Sequence, residues 1–195
     1  MTKQLNIWIG LSLVLVLVGY YSYIWSIQNA SEADLLWTSA IDATSEYSPE
    51  YEAFGLSSLL TSKNANEIYR LAIFRSFDGI SIITIDMPSK TMNIKFSKVW
   101  SYPVQGPEVE KTITLSNEEL FDVKSALVSS QFLGSAPPPE SLSQGKDGST
   151  WIFEVKRNGQ YAAMNRWSPK TGPLYEIGSF IYRMANNYVP MGRLY

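Results

Sequence analysis

The stretch TWIFEVKRNGQYAAMNRW, Thr150–Trp167, decides how the folded part of this chain is read. Asn158-Gly159 at its centre is the best signal for a two-residue type I′ turn in the sequence, because both turn positions need φ > 0. Two strands must then pair around it. That register puts Trp151, Phe153 and Val155 on one face with Ala162, Met164 and Arg166. Ile152, Glu154 and Lys156 share the other face with Tyr161, Ala163, Asn165 and Trp167. Trp151 falls opposite Arg166, a pairing that suggests a cation–π contact of about 0.5–2 kcal/mol.

Working back from the hairpin, SAPPPESLSQGKDGS is a loop whose proline run resists regular structure. Before it, SNEELFDVKSALVSSQFLG reads as a helix. Ser116 and Glu119 form a capping box, Leu120, Val123, Leu127 and Val128 recur at helical spacing, and Gly134 is the expected C-cap. Further back, EIYRLAIFRSF, ISIITID, TMNIKFSKVW and KTITLS read as four strands separated by turn signals at Asp78-Gly79, MPSK and SYPVQGPEVE. Beyond the hairpin, Pro173 opens a last helix with Leu174, Ile177, Phe180, Ile181 and Met184 on one side, ending near Asn186 or Asn187. The fold class is α+β: a mostly antiparallel sheet with about two packing helices, over residues 67–195.

The N-terminus has a different composition. Ile7 to Trp25, IWIGLSLVLVLVGYYSYIW, carries no charge, and a helix of about 20 such residues crosses a bilayer core. Trp8 borders it on one side, and Tyr20, Tyr21, Tyr23 and Trp25 on the other, as in an aromatic belt. Lys3 precedes it, and no Lys or Arg follows until Lys63. The expected topology is therefore 1–6 cytoplasmic, 7–25 transmembrane and the remainder outside the cytoplasm. A cleaved signal peptide with its apolar region at Ile7–Val18 is the alternative, but Ala30 at −1 would leave Gln28 at −3, where a small residue is needed. Residues 26–66 are acidic and rich in Ser and Tyr, and read as a stalk or linker with a short helix over SEADLLWTSAIDA.

The 195 residues contain no Cys and no His, and the net charge is −2. Thiol nucleophiles, disulfides, Cys/His zinc sites and histidine general bases cannot be built from this chain. A general nucleic-acid binder would carry a basic stripe, which is absent. No P-loop, G-x-G-x-x-G or S-x-x-K motif occurs. No cofactor or metal is expected.

Asp147-Gly148-x-x-Trp151-x-x-Glu154, followed by Gly159-x-Tyr161 and Arg166-Trp167-Ser168-Pro169, resembles a widespread type of uncharacterised bacterial envelope protein. The resemblance covers Tyr69 to about Ala185 and is specific only in the hairpin. It implies a single domain behind an N-terminal membrane or lipoprotein signal, and no established activity. The family pattern tends to have His where this chain has Ala162 and Trp where it has Leu133, so a site needing that His is missing here.

The hairpin admits three readings. As scaffold, its aromatics are what a sheet buries against helices. As a binding site, Asp147, Trp151, Glu154, Tyr161, Arg166 and Trp167 offer aromatic faces beside carboxylates, suited to carbohydrate such as peptidoglycan, with Arg166 able to fork onto a carboxylate or phosphate. As an active site, Asp147 and Glu154 would act as a glycosidase-like pair, a mechanism that depends on their separation. Scaffold is the favoured reading. The expected function is a membrane-anchored, periplasmic binding or assembly module of the bacterial inner membrane, without catalysis. A carboxylate-dependent wall hydrolase and a purely structural subunit of a membrane complex are the alternatives. Expected partners are the membrane itself and either peptidoglycan or another envelope protein.

Overall fold

The computed structural model describes residues 44–62, 66–134 and 147–194. The stretch 7–25 and the short helix expected over 31–43 lie outside them. Among the described residues, no helix is long and apolar enough to cross a membrane.

Six antiparallel strands form one sheet: β1 Ile68–Arg75, β2 Gly79–Asp86, β3 Thr91–Ser97, β4 Val109–Thr114, β5 Ser149–Arg157 and β6 Gln160–Trp167. Their order across the sheet is β4-β3-β2-β1-β5-β6. A four-stranded meander, β1–β4, and the β5–β6 hairpin thus meet where β5 pairs with β1, Trp151 opposite Ile73 and Glu154 opposite Arg70. The hairpin has the register expected from its turn, with Trp151 opposite Arg166 and Phe153 opposite Met164. Asn158 and Gly159 take φ of 51° and 77°. The expected strands are all present but differ at their ends. The third stops at Ser97 rather than Trp100, and the fourth starts at Val109, two residues before the KTITLS stretch.

Three α-helices are present among the described residues: α1 Ser48–Ala53, α2 Asn117–Ser129 and α3 Pro173–Asn186. The capping box of α2 is formed, with the Ser116 hydroxyl accepting from the Glu119 amide and the Glu119 carboxylate accepting from the Ser116 amide. Gly134 is not its C-cap. The helix ends at Ser129 with Ser130 as its C-cap, whose N–H bonds back into the last turn, and Gln131 takes the left-handed conformation at φ 55°. Phe132 needs this early exit, since it reaches the core and packs edge-on against Phe153 at 4.8 Å.

Helices α2 and α3 cover one face of the sheet. Leu71, Ile73, Ile83, Ile94, Trp151, Phe153 and Val155 meet Leu120, Val123, Leu127, Ile177 and Ile181 there in one continuous core. Gly178 lets α3 approach closely: a Cβ at that position would lie 2.8 Å from Cε3 of Trp151.

The other face is covered as well. Residues 44–62 belong to the stretch that composition assigns to a linker, yet they pack on the sheet. Tyr51 and Phe54 of α1 and the following turn are buried against Ala72, Phe74, Ile80, Ile82 and Ile152. Leu59 is buried with Ile68, Tyr161 and Ala163. The physical reason lies in β1 and β2. All eight residues of β1 are buried, so neither of its faces can be left to water.

Candidate functional site

The hairpin residues singled out by sequence do not converge. Trp151 points into the helix-side core and is 1% exposed. Its Nε1 donates to Ser149 Oγ at 2.8 Å, and its ring stacks on Tyr175 at 6.0 Å. Arg166, directly opposite, is half-buried and donates from Nη1 to the carbonyl of Asn165. Glu154 and Tyr161 lie on the other side of the sheet. Asp147 is exposed in the turn that enters β5, and Trp167 is half-buried at the end of β6. Its indole lies over Gly148, where a Cβ would come within 2.7 Å of the Trp167 ring and 2.3 Å of Ser168 Oγ. Gly148 is therefore required by the neighbouring R-W-S-P turn.

What does converge is a polar cluster around Glu154, which is fully buried. Its Oε1 accepts from the Leu59 amide at 2.9 Å, from Tyr161 Oη at 3.2 Å and from Ser58 Oγ at 3.3 Å. Its Oε2 accepts from Tyr51 Oη at 3.2 Å and lies 3.7 Å from Arg70 Nη1. Arg70 is the cross-strand neighbour of Glu154 on β1. It also donates from Nη1 to the Ser57 carbonyl at 2.6 Å and from Nε to Thr84 Oγ1 at 3.1 Å, and it stands 5.8 Å over the Tyr51 ring. Burial raises the Glu154 carboxyl above its ordinary value, against the pull of Arg70 and of the Leu59, Tyr51 and Tyr161 donors. Burial, reinforced by the Glu154 charge, pushes the Tyr51 phenol well up, so it remains a neutral donor.

The cluster holds residues 44–62 against the sheet. A covering loop brings backbone carbonyls into an apolar environment, and each needs a donor. The sheet supplies them from long cationic side chains. Arg70 reaches Ser57, Lys95 Nζ reaches the Phe54 carbonyl at 2.7 Å, and Lys156 Nζ reaches that of Leu60 at 3.4 Å. Tyr47 adds a contact at the edge, from Oη to Thr150 Oγ1 at 2.8 Å. Glu154 therefore acts as an anchor for the covering layer, and its oxygens are taken up by protein donors. A glycosidase acid needs access to a glycosidic oxygen, and this carboxylate does not have it.

A second buried arginine occupies the helix side. Arg75, 1% exposed, donates from Nη1 to Tyr182 Oη and to the Met191 carbonyl, both at 2.9 Å, and from Nη2 to Ser81 Oγ at 3.1 Å. The Phe96 and Tyr182 rings flank it at 5.8 and 5.7 Å. Its contacts tie the C-terminal tail to the end of β1. Among the described residues, no group of three or more acidic side chains is arranged to hold a metal ion.

Among the described residues, the large exposed apolar side chains lie elsewhere, towards one end of the sheet. That end comprises the β1–β2 turn, the β3–β4 connection, the start of β5 and the end of β6. It carries Phe77, Val99 and Tyr102, which are 73%, 61% and 96% exposed, together with Trp100 at 36%. The turns abut: the carbonyl of Ser97 comes within 2.0 Å of where a Cβ on Gly79 would stand. Ser76 bonds the Gly148 carbonyl through both its amide and its hydroxyl, which joins the β1–β2 turn to Asp147-Gly148. The exposed tips at the opposite end, Pro88–Lys90 and Asn158–Gly159, are polar apart from Pro88. Sequence reasoning missed this surface, because an aromatic in a loop gives no sign of whether it folds inward.

No family model matches the chain, and no curated protein shows significant similarity to it.

Proposed function

We propose that this chain is a membrane-anchored, extracytoplasmic binding or assembly module of a bacterial envelope, in which the 147–169 hairpin is scaffold and contact is made through the apolar-tipped end of the sheet. The observation that carries the reading is the state of Glu154. The one carboxylate of the hairpin motif that lies within a cavity of donors is fully buried, with five protein groups around it. The other, Asp147, is exposed in a turn. Nothing in this arrangement presents a pair of carboxylates to a sugar. Large apolar side chains grouped on one end favour association, because singly scattered ones would need no explanation but a cluster does. Placement in the envelope rests on the uncharged stretch 7–25, the absence of basic residues after it until Lys63, and the resemblance of the hairpin motif to envelope proteins.

The enzymatic alternative is tested directly. Purified protein incubated with peptidoglycan is expected to release no soluble fragments, as read by chromatography of the supernatant. Release that disappears in Asp147→Asn would establish hydrolysis and end the non-catalytic reading. Affinity purification from membranes then asks which envelope component travels with the protein.

A further inference from the structure

We infer that the end of the sheet bearing Phe77, Val99, Trp100 and Tyr102 docks on a lipid bilayer surface. The inference rests on the proposed membrane anchorage and names the partner of the exposed end.

Three observations select a bilayer over a second protein. The first is the composition of the tips. Tyr with its polar edge, together with Val and Phe, favours the boundary between headgroups and acyl chains. Phe77, Val99 and Tyr102 are largely exposed in turns and loops, while Trp100 packs beneath them on Phe74 and donates from Nε1 to Glu50. The second is area. Together the exposed parts of the four side chains offer on the order of 500 Å², below the roughly 800 Å² per partner of a stable protein–protein interface. Insertion of separate tips into lipid has no such requirement for a continuous complementary surface. The third is chain entry. Thr44–Tyr47 enter the domain at this end, with the Tyr47 ring stacked on Phe74 at 4.3 Å and 6.4 Å from Trp100. The described chain thus enters the domain, at Thr44, on the end where the aromatic tips are. That end carries the exposed acids Asp78, Glu108 and Asp147 against Lys98, so zwitterionic rather than anionic lipid is the surface it fits.

The absence of cysteine allows a direct test on the full chain. Nitroxide labels are placed one at a time through Tyr102→Cys at the tip, Ser89→Cys in the β2–β3 turn at the opposite end, and Ser12→Cys in the apolar stretch. The protein is reconstituted in phosphatidylcholine vesicles. Relaxation by oxygen, which concentrates in lipid, is compared with relaxation by a water-confined nickel chelate. The expected result is oxygen-dominated relaxation at 12 and 102 and nickel-dominated relaxation at 89. Position 12 in lipid with position 102 in water would overturn the docking while leaving the anchor intact. Position 12 in water would remove the anchorage on which the docking rests and overturn both. Dipolar broadening between labels at 102 would show that the tips meet a second copy instead, which also overturns it. Tyr102→Cys keeps the fold readable, since that side chain is almost wholly exposed.

Discussion

Replacing Glu154 by Ala is expected to destabilise the protein by about 3–5 kcal/mol at neutral pH, read from denaturant unfolding. The substitution leaves the Arg70 guanidinium buried without its carboxylate, and removal of one partner from a buried pair has a cost of that order. It also strips an acceptor from the Leu59 amide and from the Tyr51 and Tyr161 hydroxyls. The loss is a large share of the roughly 5–15 kcal/mol that holds an ordinary domain folded. A pH dependence accompanies it. Burial raises the folded-state carboxyl above its ordinary value of 4.5. Between the unfolded and folded values the native state therefore holds the proton more tightly, and stability falls as pH rises. The gap between wild type and variant should be widest below 4.5 and narrow as pH rises through the folded-state value. A gap that widens with rising pH would show that pairing with Arg70 outweighs burial.

The second large effect is expected at Trp151. Truncation to Ala should cost about 3–5 kcal/mol, because it empties the space between β5 and α3 rather than a surface pocket. Gly178 exists where it does to admit this ring, and a helix backbone that close cannot move in to fill the void. Thermal melting checks the loss. A Trp151→Ala protein that melts like wild type would mean that the ring is not part of the core and is free to serve as a binding face.

The hairpin was legible in the sequence because its determinants are local. Asn158-Gly159 fixes the turn, the turn fixes the register, and the register fixes which side chains share a face. The capping box of α2 is equally local. The covering layer was not legible. Its anchor joins Glu154 to Tyr51, Ser58 and Leu59, which are about a hundred residues away along the chain. The acidic, Ser- and Tyr-rich composition of the segment concealed that Tyr51, Phe54 and Leu59 are buried. A signal was nevertheless present. Tyr69–Phe74 and Ile80–Ile85 are almost continuously apolar where a half-exposed sheet would alternate. Such strands require cover on both faces, and α2 and α3 supply only one. The Trp151–Arg166 pairing was right in register, but a register says which residues are opposite and not which ring stacks. Tyr175, on a helix the hairpin does not predict, stacks on Trp151.

Read together, these contacts give the D-G-x-x-W-x-x-E motif a structural meaning. Gly148 accommodates Trp167, Trp151 fills the helix-side core, and Glu154 fastens the segment that covers the other side. The most direct test is native-state hydrogen exchange in wild type and Glu154→Ala, under conditions where β2 and β3 keep their protection. The Leu59 amide is expected to exchange at least about tenfold faster in the variant, since a hydrogen bond to a charged acceptor is worth roughly 1.5–3 kcal/mol. The remaining amides of 44–62 should follow, while those of β2 and β3 do not. Equal protection of Leu59 in the two proteins would contradict the assignment of Glu154 as the anchor of the covering layer.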